Sequence, residues 1–208
     1  MQSTILSSGS ILVRDAREAD TASIQRIYAH YVLNGLATFE EVPPTLEDMC
    51  SRREIIQGAG LPYLVAELKE HIVGYVYATV YRPRPAYRQT VEDSVYVAEE
   101  FQSKGVGRAL LSTLIERCEA GDWRQMIAVI GGGDNMGSIA LHSRLGFQHV
   151  GTLRAVGFKL GQWVDTVLMQ RALGRGDRTI PITDLDHQTV LLNRYQQTRV
   201  QPFAGVDR

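Results

Sequence analysis

The chain has 208 residues, of which 44% are hydrophobic, so it can bury one sizeable core, and its length favours one domain over two. The 22 basic and 23 acidic residues give a formal net charge of -1, and no apolar run approaches bilayer length, so we expect neither a nucleic-acid nor a membrane partner. Cys50 and Cys118 lie far apart without metal-type spacing, which argues against a metal site or a disulfide framework and favours a cytoplasmic location.

The first part of the chain is predicted to form a strand, two helices and a hairpin, in that order. A short strand at residues 11–13 precedes a helix at residues 18–33, whose apolar side chains recur at helical spacing. A second helix is predicted at residues 45–57, because a threonine followed three residues later by an aspartate is typical of a helix N-cap. Residues 63–68 and 72–80 are rich in β-branched and aromatic residues around a short polar turn, which predicts an antiparallel hairpin.

The second part of the chain predicts a mixed sheet flanked by helices. Residues 105–119 carry the clearest amphipathic stripe of the sequence, and residues 126–130 form the apolar run of a buried central strand. Another helix is predicted at residues 135–145. Three more strands are predicted at 91–97, 147–153 and 163–170, the last two flanking a glycine-containing loop. The fold class is therefore α/β, in the α+β sense of a sheet that is not purely parallel.

The chain becomes polar and charged after its last predicted strand. We therefore divide it into a folded domain at residues 1–173 and a polar C-terminal appendage at residues 174–208. The appendage is either a flexible tail or a segment that docks through a short helix near residues 188–194, and its composition does not decide between them.

A glycine-rich segment, QSKGVG at residues 102–107, lies directly between a predicted strand and the amphipathic helix. Backbone N–H groups at a helix N-terminus favour an anion, and glycine lets a phosphate approach them closely. The spacing fits neither a P-loop nor a dinucleotide-binding fingerprint. Taken alone, the segment is either a phosphate-binding loop or a simple tight turn.

Two ordered motifs make the sequence similar to the GNAT acetyltransferases. The segment at residues 102–107 resembles their Gln/Arg-x-x-Gly-x-Gly/Ala pyrophosphate loop, and residues 135–147 resemble their Asn-led helix that ends in Leu-Gly-Phe. The resemblance covers roughly residues 11–173 and implies a central, mostly antiparallel sheet and acetyl-CoA as co-substrate. It implies cofactor-binding roles for Val95, Tyr96, Val97, Ser103, Lys104, Gly105, Val106, Gly107, Arg108, Asn135 and Ser138.

Transfer of an acetyl group to an amine requires a neutral nucleophile and hence a general base, for which we select Glu92. This residue lies on the strand that leads into the glycine-rich segment, and alternation places Glu92, Ser94 and Tyr96 on one face of that strand. From position alone, Glu92 could equally be a strand carboxylate that faces solvent. The stretch TVEDSVYV at residues 90–97 resembles the signature of phosphinothricin and methionine sulfoximine or sulfone N-acetyltransferases, in which this glutamate is the base.

Four further segments resemble that group of acetyltransferases: ATFE at residues 37–40, RPAY at 84–87, AVI at 128–130 and GFKLGQWVD at 157–165. Arginines interleaved with tyrosines suit carboxylate, phosphinate or sulfone oxygens, whereas a solvated basic loop is the alternative interpretation. Pro83 and Pro85 depart from the family pattern, so the resemblance does not fix the exact substrate. The expected substrate-binding residues are Phe39, Arg82, Arg84, Tyr87, Val129 and Trp163.

The resemblance also implies how the leaving group and the oxyanion are handled. Many family members have a tyrosine where this chain has His142. The histidine would protonate the thiolate, hydrogen-bond to the sulfur or simply pack on the helix. A backbone N–H near Val97, exposed where two parallel strands splay, is the expected oxyanion donor.

The sequence therefore predicts an enzyme that moves acetyl from acetyl-CoA directly to the α-amino group of a small anionic amino-acid analogue. Neither cysteine falls in a motif, which disfavours an acetyl-enzyme. The alternatives are an acetyltransferase for a protein N-terminus or a polyamine, and a non-catalytic acetyl-CoA-binding protein. The resemblance implies a homodimer in which residues 158–163 cover a neighbouring pocket.

Overall fold

A computed structural model describes residues 10–133 and 135–181 of the chain. One seven-stranded sheet in the order β1-β2-β3-β4-β5-β7-β6 forms its centre. The strands are β1 Leu12–Asp15, β2 Tyr63–Leu68, β3 His71–Val80, β4 Thr90–Val97, β5 Gln125–Gly131, β6 Gln148–Lys159 and β7 Gln162–Ala172. The helices are α1 Thr21–Asn34, α2 Leu46–Gly58, α3 Val106–Glu119 and α4 Met136–Arg144. In the part of the chain described, the neighbouring strands are antiparallel except for β4 and β5, which confirms the predicted mixed, mostly antiparallel sheet.

The helix ends follow the sequence signals closely. Thr45 accepts a hydrogen bond from the Asp48 N–H, and the Asp48 carboxylate accepts one from the Thr45 N–H, so the predicted cap begins α2. Asn135 caps α4 in the same way, through its Oδ1 and the Ser138 N–H. Helix α1 begins later than predicted, because Glu18–Asp20 form a 3₁₀ turn before it.

The C-terminal hairpin differs from its prediction. The loop expected after residue 153 is mostly strand, since β6 continues to Lys159 and pairs there with Gln162 at the start of β7. A bulge between Leu153 and Gly157 shifts the register, and the Asp165 carboxylate accepts a hydrogen bond from the bulged Ala155 N–H. Residues 188–194, where a docking helix was considered, lie outside the described residues.

The two faces of the sheet are covered by different helices. Tyr96 of β4 points toward α1, where its ring lies 5.1 Å from that of Tyr28. Asp93 points the other way and hydrogen-bonds to His142 of α4. The register of β3 with β4 is uninterrupted, so the predicted alternation of β4 is confirmed and Glu92 lies on the α1 face. No helix within residues 10–133 and 135–181 is both long and apolar enough to cross a bilayer.

The two parallel strands separate halfway along their length. β4 and β5 pair from Thr90 with Gln125 to Asp93 with Ala128, and no further. Beyond that point β4 remains paired with β3 and β5 with β7, so each strand is held from its outer side. The sheet is therefore split by a V-shaped gap at the carboxyl ends of β4 and β5.

Gly74 sets how closely α3 can approach the sheet. A Cβ there would lie 2.9 Å from the Tyr96 carbonyl oxygen, 3.0 Å from Leu110 Cδ1 and 3.2 Å from Val106 Cγ1. We expect Gly74→Ala to lower the free energy of unfolding by about 1–3 kcal/mol, because backbone and core must shift together. The measurement is urea unfolding beside Gly151→Ala, whose Cβ would meet nothing within 4 Å. Equal midpoints for the two variants would contradict this account of the packing.

Candidate functional site

The gap between β4 and β5 is part of a cleft of about 660 Å³. Residues 93–97 of β4 and 128–131 of β5 form its walls, and the start of α3 and one side of α4 close it on one face of the sheet. Tyr31 of α1 and Ala37 of the following loop contribute from the other face. The cleft thus passes through the sheet and connects its two faces.

The glycine-rich segment forms one end of this cleft. Gly105 has φ 85° and lies directly before α3, a left-handed conformation that favours glycine. The lining includes Gln102, Ser103, Gly105, Gly107 and Arg108. This arrangement of N–H groups at the start of a 14-residue helix suits a phosphate group.

Two residues predicted for this end have side chains directed elsewhere. Lys104 Nζ donates a hydrogen bond to the Glu100 carbonyl at 2.6 Å and lies over the Phe101 ring. Val106 is buried in the hydrophobic core. These two residues therefore have only backbone groups to offer a phosphate.

The backbone of β4 directs polar groups into the gap. The Ala98 N–H donates to the Val73 carbonyl of β3. Because the N–H groups of successive residues in a strand point to opposite sides, those of Val95 and Val97 point toward β5. Pairing with β5 has already ended at Asp93. The Val97 carbonyl accepts a hydrogen bond from Tyr31 Oη at 2.6 Å. The predicted Val97 N–H thus faces the cleft.

Tyr31 and Gln102 were absent from the predicted site set. The Gln102 side chain donates to Tyr31 Oη at 3.2 Å, which joins α1 to the glycine-rich segment across the cleft. Tyr31 belongs to the apolar stripe of its helix, and a core tyrosine gives the same periodic signal as a site tyrosine. Gln102 carried a usable signal, because it is the first residue of the glycine-rich motif.

A buried ion pair lies beside the cleft on the α4 face. His142 Nε2 donates to Asp93 Oδ2 at 3.0 Å, and both side chains are 2% exposed. His142 Nδ1 donates to the Ser138 carbonyl at 2.7 Å, so both ring nitrogens act as donors, as in an imidazolium. Burial opposes the charge, but hydrogen bonding to Asp93 and Ser138 prevails and raises the pKa of His142 above its ordinary value.

Glu92 lies on the opposite face of β4 from this pair. Burial raises its pKa to about 7, the neighbouring Asp93 charge acts in the same direction, and the Arg82 guanidinium opposes both. Glu92 does not line the cleft, but Ser94, two residues further on the same face, does. Glu92 is therefore a carboxylate that titrates near neutrality next to the cleft on its α1 side.

The predicted substrate residues occupy four separate places. Val129 lines the cleft, and the ring of Phe39 packs so closely on Gly157 that a Cβ there would lie 2.6 Å from the ring. Arg82, Arg84 and Tyr87 belong to the exposed turn before β4, where Arg82 lies over the ring of Tyr81. Trp163 is 68% exposed at the start of β7 and contacts Phe158. The chain does not bring Trp163 to its own cleft.

Within the described residues, no group of three or more His, Cys, Asp or Glu side chains could hold a metal ion.

Known proteins match the chain over most of its length. A family model described as an acetyltransferase (GNAT) domain matches residues 13–168. A phosphinothricin N-acetyltransferase from Alcaligenes faecalis is 55% identical over 169 residues, which cover 81% of this chain and 86% of that protein. An L-methionine sulfoximine/L-methionine sulfone acetyltransferase from Pseudomonas paraeruginosa is 40% identical over 162 residues, covering 77% and 94% of the two chains.

The fold has a close counterpart among solved structures. The crystal structure of a GNAT superfamily phosphinothricin acetyltransferase from Sinorhizobium meliloti, in complex with acetyl-CoA, aligns with a TM-score of 0.82. The two sequences are 49% identical, and the alignment covers 86% of this chain and 97% of that one.

The pair of Asp93 and His142 predicts a pH-dependent contribution to stability. A histidine with a raised folded pKa stabilises the fold fully below its unfolded pKa, and this contribution is lost as pH rises through the folded pKa. We expect the stability advantage of the wild type over His142→Gln to shrink with rising pH, by about 1.4 kcal/mol for each unit of raised pKa. Urea unfolding at a series of pH values from about 5 to 9 measures this difference.

His149→Gln is the matched control, because it removes an exposed histidine and leaves the buried pair intact. A pH-independent difference between the wild type and His142→Gln would show that His142 is not held as an imidazolium.

Proposed function

We propose that this chain, which belongs to the GNAT acetyltransferase family, acetylates the α-amino group of a small anionic amino-acid analogue such as phosphinothricin, methionine sulfoximine or methionine sulfone. It is an acetyl-CoA-dependent N-acetyltransferase. One observation carries the proposal: the cleft opened by the separation of β4 and β5 runs from the glycine-rich helix start to the face of the sheet that holds Glu92.

The residues of the cleft fit acetyl-CoA. The N–H groups before α3, with Ser103 and Arg108 in the lining, suit its pyrophosphate, and Asn135 and Ser138 line the adjoining wall formed by α4. When bound, acetyl-CoA supplies an acetyl thioester as the electrophile. The backbone N–H of Val97, turned toward the gap, supports its role as the donor to the developing oxyanion.

Glu92 is the general base of the proposed reaction. A base that titrates near the working pH combines a large ionised fraction with useful basicity, and burial gives Glu92 a pKa of about 7. Because Glu92 lies next to the cleft lining and not within it, we propose that a water molecule relays the proton from the substrate ammonium to its carboxylate. The neutral amine then attacks directly.

His142 is the proposed proton donor to the leaving thiolate. It lines the cleft, and its contacts with Asp93 and Ser138 favour the charged imidazolium. The proton given up is that of Nδ1, which leaves its hydrogen bond to the Ser138 carbonyl, and the neutral ring keeps the Nε2–H that donates to Asp93. Asp93 holds the ring in place through this change.

The acceptor side of the proposed site lies on the Glu92 face. Arg82 is close enough to Glu92 to oppose the rise of its pKa, so a substrate carboxylate or phosphinate near Arg82 would place its amine toward Glu92. Phe39 and Val129 offer apolar surface for the aliphatic part of such a substrate. Several arginines in the same turn disfavour a polycationic acceptor.

The test is a thiol-release assay with acetyl-CoA and a panel of amines. We expect turnover with phosphinothricin, methionine sulfoximine and methionine sulfone, and a loss of about 10²–10⁴-fold in kcat for Glu92→Gln. The exposed Glu116→Gln is the control. Turnover confined to peptide N-termini or polyamines would refute the proposed substrate class, and acetyl-CoA binding without release for any amine would refute catalysis.

The pH dependence of the same assay tests the assigned base. The wild-type kcat/KM should rise with pH through about 7, because Glu92 must lose its proton to act as a base. Glu92→Gln should lose this rise, and His142→Gln should keep it while lowering kcat. An unchanged pH profile in Glu92→Gln would assign the base to another group.

We further propose that the enzyme is a homodimer formed through the C-terminal hairpin. Among the described residues β6 is one of the two edge strands of the sheet, and apolar side chains are exposed along it, in the turn that follows and on β7. They are Val150, Leu153, Val156, Phe158, Leu160 and Trp163, which we name the hairpin patch. An exposed apolar edge of this kind is typical of an interface.

Replacing Phe158 and Trp163 together with serine should convert the protein to monomers, because it removes two large apolar groups from the hairpin patch. Light scattering after size-exclusion chromatography should give twice the chain mass of 23.2 kDa for the wild type and the single mass for the variant. Val42→Ser, which alters an exposed apolar residue outside the patch, is the control. A wild-type monomer at micromolar concentration would contradict the proposed dimer.

A further inference from the structure

Lys159, the last residue of β6, carries a buried ammonium group that the proposed reaction does not use. The residue is 3% exposed, and Nζ donates hydrogen bonds to the Thr38 carbonyl at 2.8 Å and the Tyr31 carbonyl at 3.4 Å. It forms no ion pair with any of the described residues. Its charge is therefore stabilised mainly by two backbone carbonyls, one at the end of α1 and one in the loop that follows.

We name residues 35–44, the loop that follows α1, the acceptor loop. Leu36 and Ala37 cross so close to Gly131 at the end of β5 that a Cβ on Gly131 would overlap the Leu36 carbonyl oxygen. Ala37 lines the cleft. Phe39 follows directly after the residue that accepts the Lys159 hydrogen bond. The acceptor loop thus brings an expected substrate contact and a cleft wall to the same place.

Lys159 and Gly157 hold the acceptor loop from the same strand. They are two residues apart on β6, so both face the loop, and the Phe39 ring occupies the space that a Cβ of Gly157 would need. On the other side, Tyr28 Oη hydrogen-bonds to Thr38 Oγ1 at 2.8 Å. The loop backbone at Thr38 is therefore fixed between α1 and the C-terminal hairpin.

We propose that Lys159 is a positioning residue that holds the acceptor loop, and with it Ala37 and Phe39, in the conformation that binds the amine substrate. This proposal rests on the proposed function for its effect on catalysis. If the loop moves away, the Lys159 ammonium loses the Thr38 carbonyl and keeps only the longer contact with the Tyr31 carbonyl of α1, and a buried charge with fewer partners is costly. The ammonium therefore favours the loop position in which the Thr38 carbonyl accepts its hydrogen bond.

A catalytic role for Lys159 does not fit its position. It does not line the cleft, and its Nζ points to the loop backbone. Burial lowers its pKa, and the charges of Glu41 and Glu40 in the acceptor loop act in the opposite direction and favour the ammonium. Those two carboxylates thus help to keep the group in the form that donates to Thr38.

The first test separates binding of the amine from binding of acetyl-CoA. Lys159→Met keeps the apolar stem but removes the donors, and we expect the KM for the amine to rise about tenfold, the cost of losing a hydrogen bond to a charged group. The KM for acetyl-CoA and kcat should change less than about threefold, because the glycine-rich segment and Glu92 are untouched. Lys159→Arg should restore most of the affinity, and Lys69→Met, in the exposed turn after β2, should behave as wild type.

The second test asks whether Lys159 acts through Phe39. In a Phe39→Ala background the loop no longer offers the ring, so Lys159→Met should add little to the KM for the amine. Additive effects of the two substitutions would overturn the proposed route.

A third measurement does not depend on activity. Hydrogen exchange of residues 35–44 without ligand should be faster in Lys159→Met than in the wild type, and wild-type-like in Lys159→Arg and Lys69→Met. If the wild type acetylates no amine but this difference is seen, the proposed function fails and the positioning role stands. Unchanged exchange overturns the positioning role, whatever the activity. Should Lys159→Met not fold, Lys159→Gln, which keeps one amide donor group, takes its place with a smaller change in the same direction.

Discussion

The separation of β4 and β5 is the constraint on which the site depends. Two parallel strands that stop pairing in the middle of a sheet leave backbone N–H and C=O groups without ladder partners, and such groups are costly to bury unless a side chain, water or ligand satisfies them. Here Tyr31 satisfies one, the Val97 carbonyl. The N–H groups of Val95 and Val97 remain directed into the gap, so any acyl group that enters it meets a row of donors. The pairings of β4 with β3 and of β5 with β7 continue on the outer sides of the gap.

Strand β4 gives two adjacent carboxylates opposite environments. Alternation turns Glu92 to the α1 face and Asp93 to the α4 face, where Asp93 hydrogen-bonds to His142. The charge of Asp93 adds to burial in raising the pKa of Glu92. The same residue therefore supports an imidazolium on one side of the sheet and a weaker acid on the other. Moving either carboxylate by one position would exchange these environments.

The sequence predicted the elements and the motifs well, but not the contacts between distant segments. The amphipathic stripe of α3 and the alternation of β4 are local patterns, and both were correct. The pairing of Asp93 with His142 spans 49 positions and that of Lys159 with Thr38 spans 121, and neither leaves a periodic trace. The extension of β6 was missed because a bulge at residues 153–157 interrupts its alternation. Trp163 was assigned to the substrate from a motif alone, and a motif does not say whether a side chain faces its own cleft or the surface.

The segment at residues 157–165 has two proposed roles, which its alternation keeps apart. Gly157 and Lys159 face the acceptor loop, whereas Phe158 is 57% exposed and Leu160 56% exposed on the other side. A side chain larger than hydrogen at Gly157 would displace Phe39, and an apolar side chain at Lys159 would leave the Thr38 carbonyl without its donor. Phe158 and Leu160 are under neither restriction, which leaves them free to belong to the hairpin patch. Residues 157–160 therefore connect the proposed acceptor site of one chain with the surface proposed to meet a second chain. A distortion of that surface would be transmitted to Phe39 through the backbone of β6.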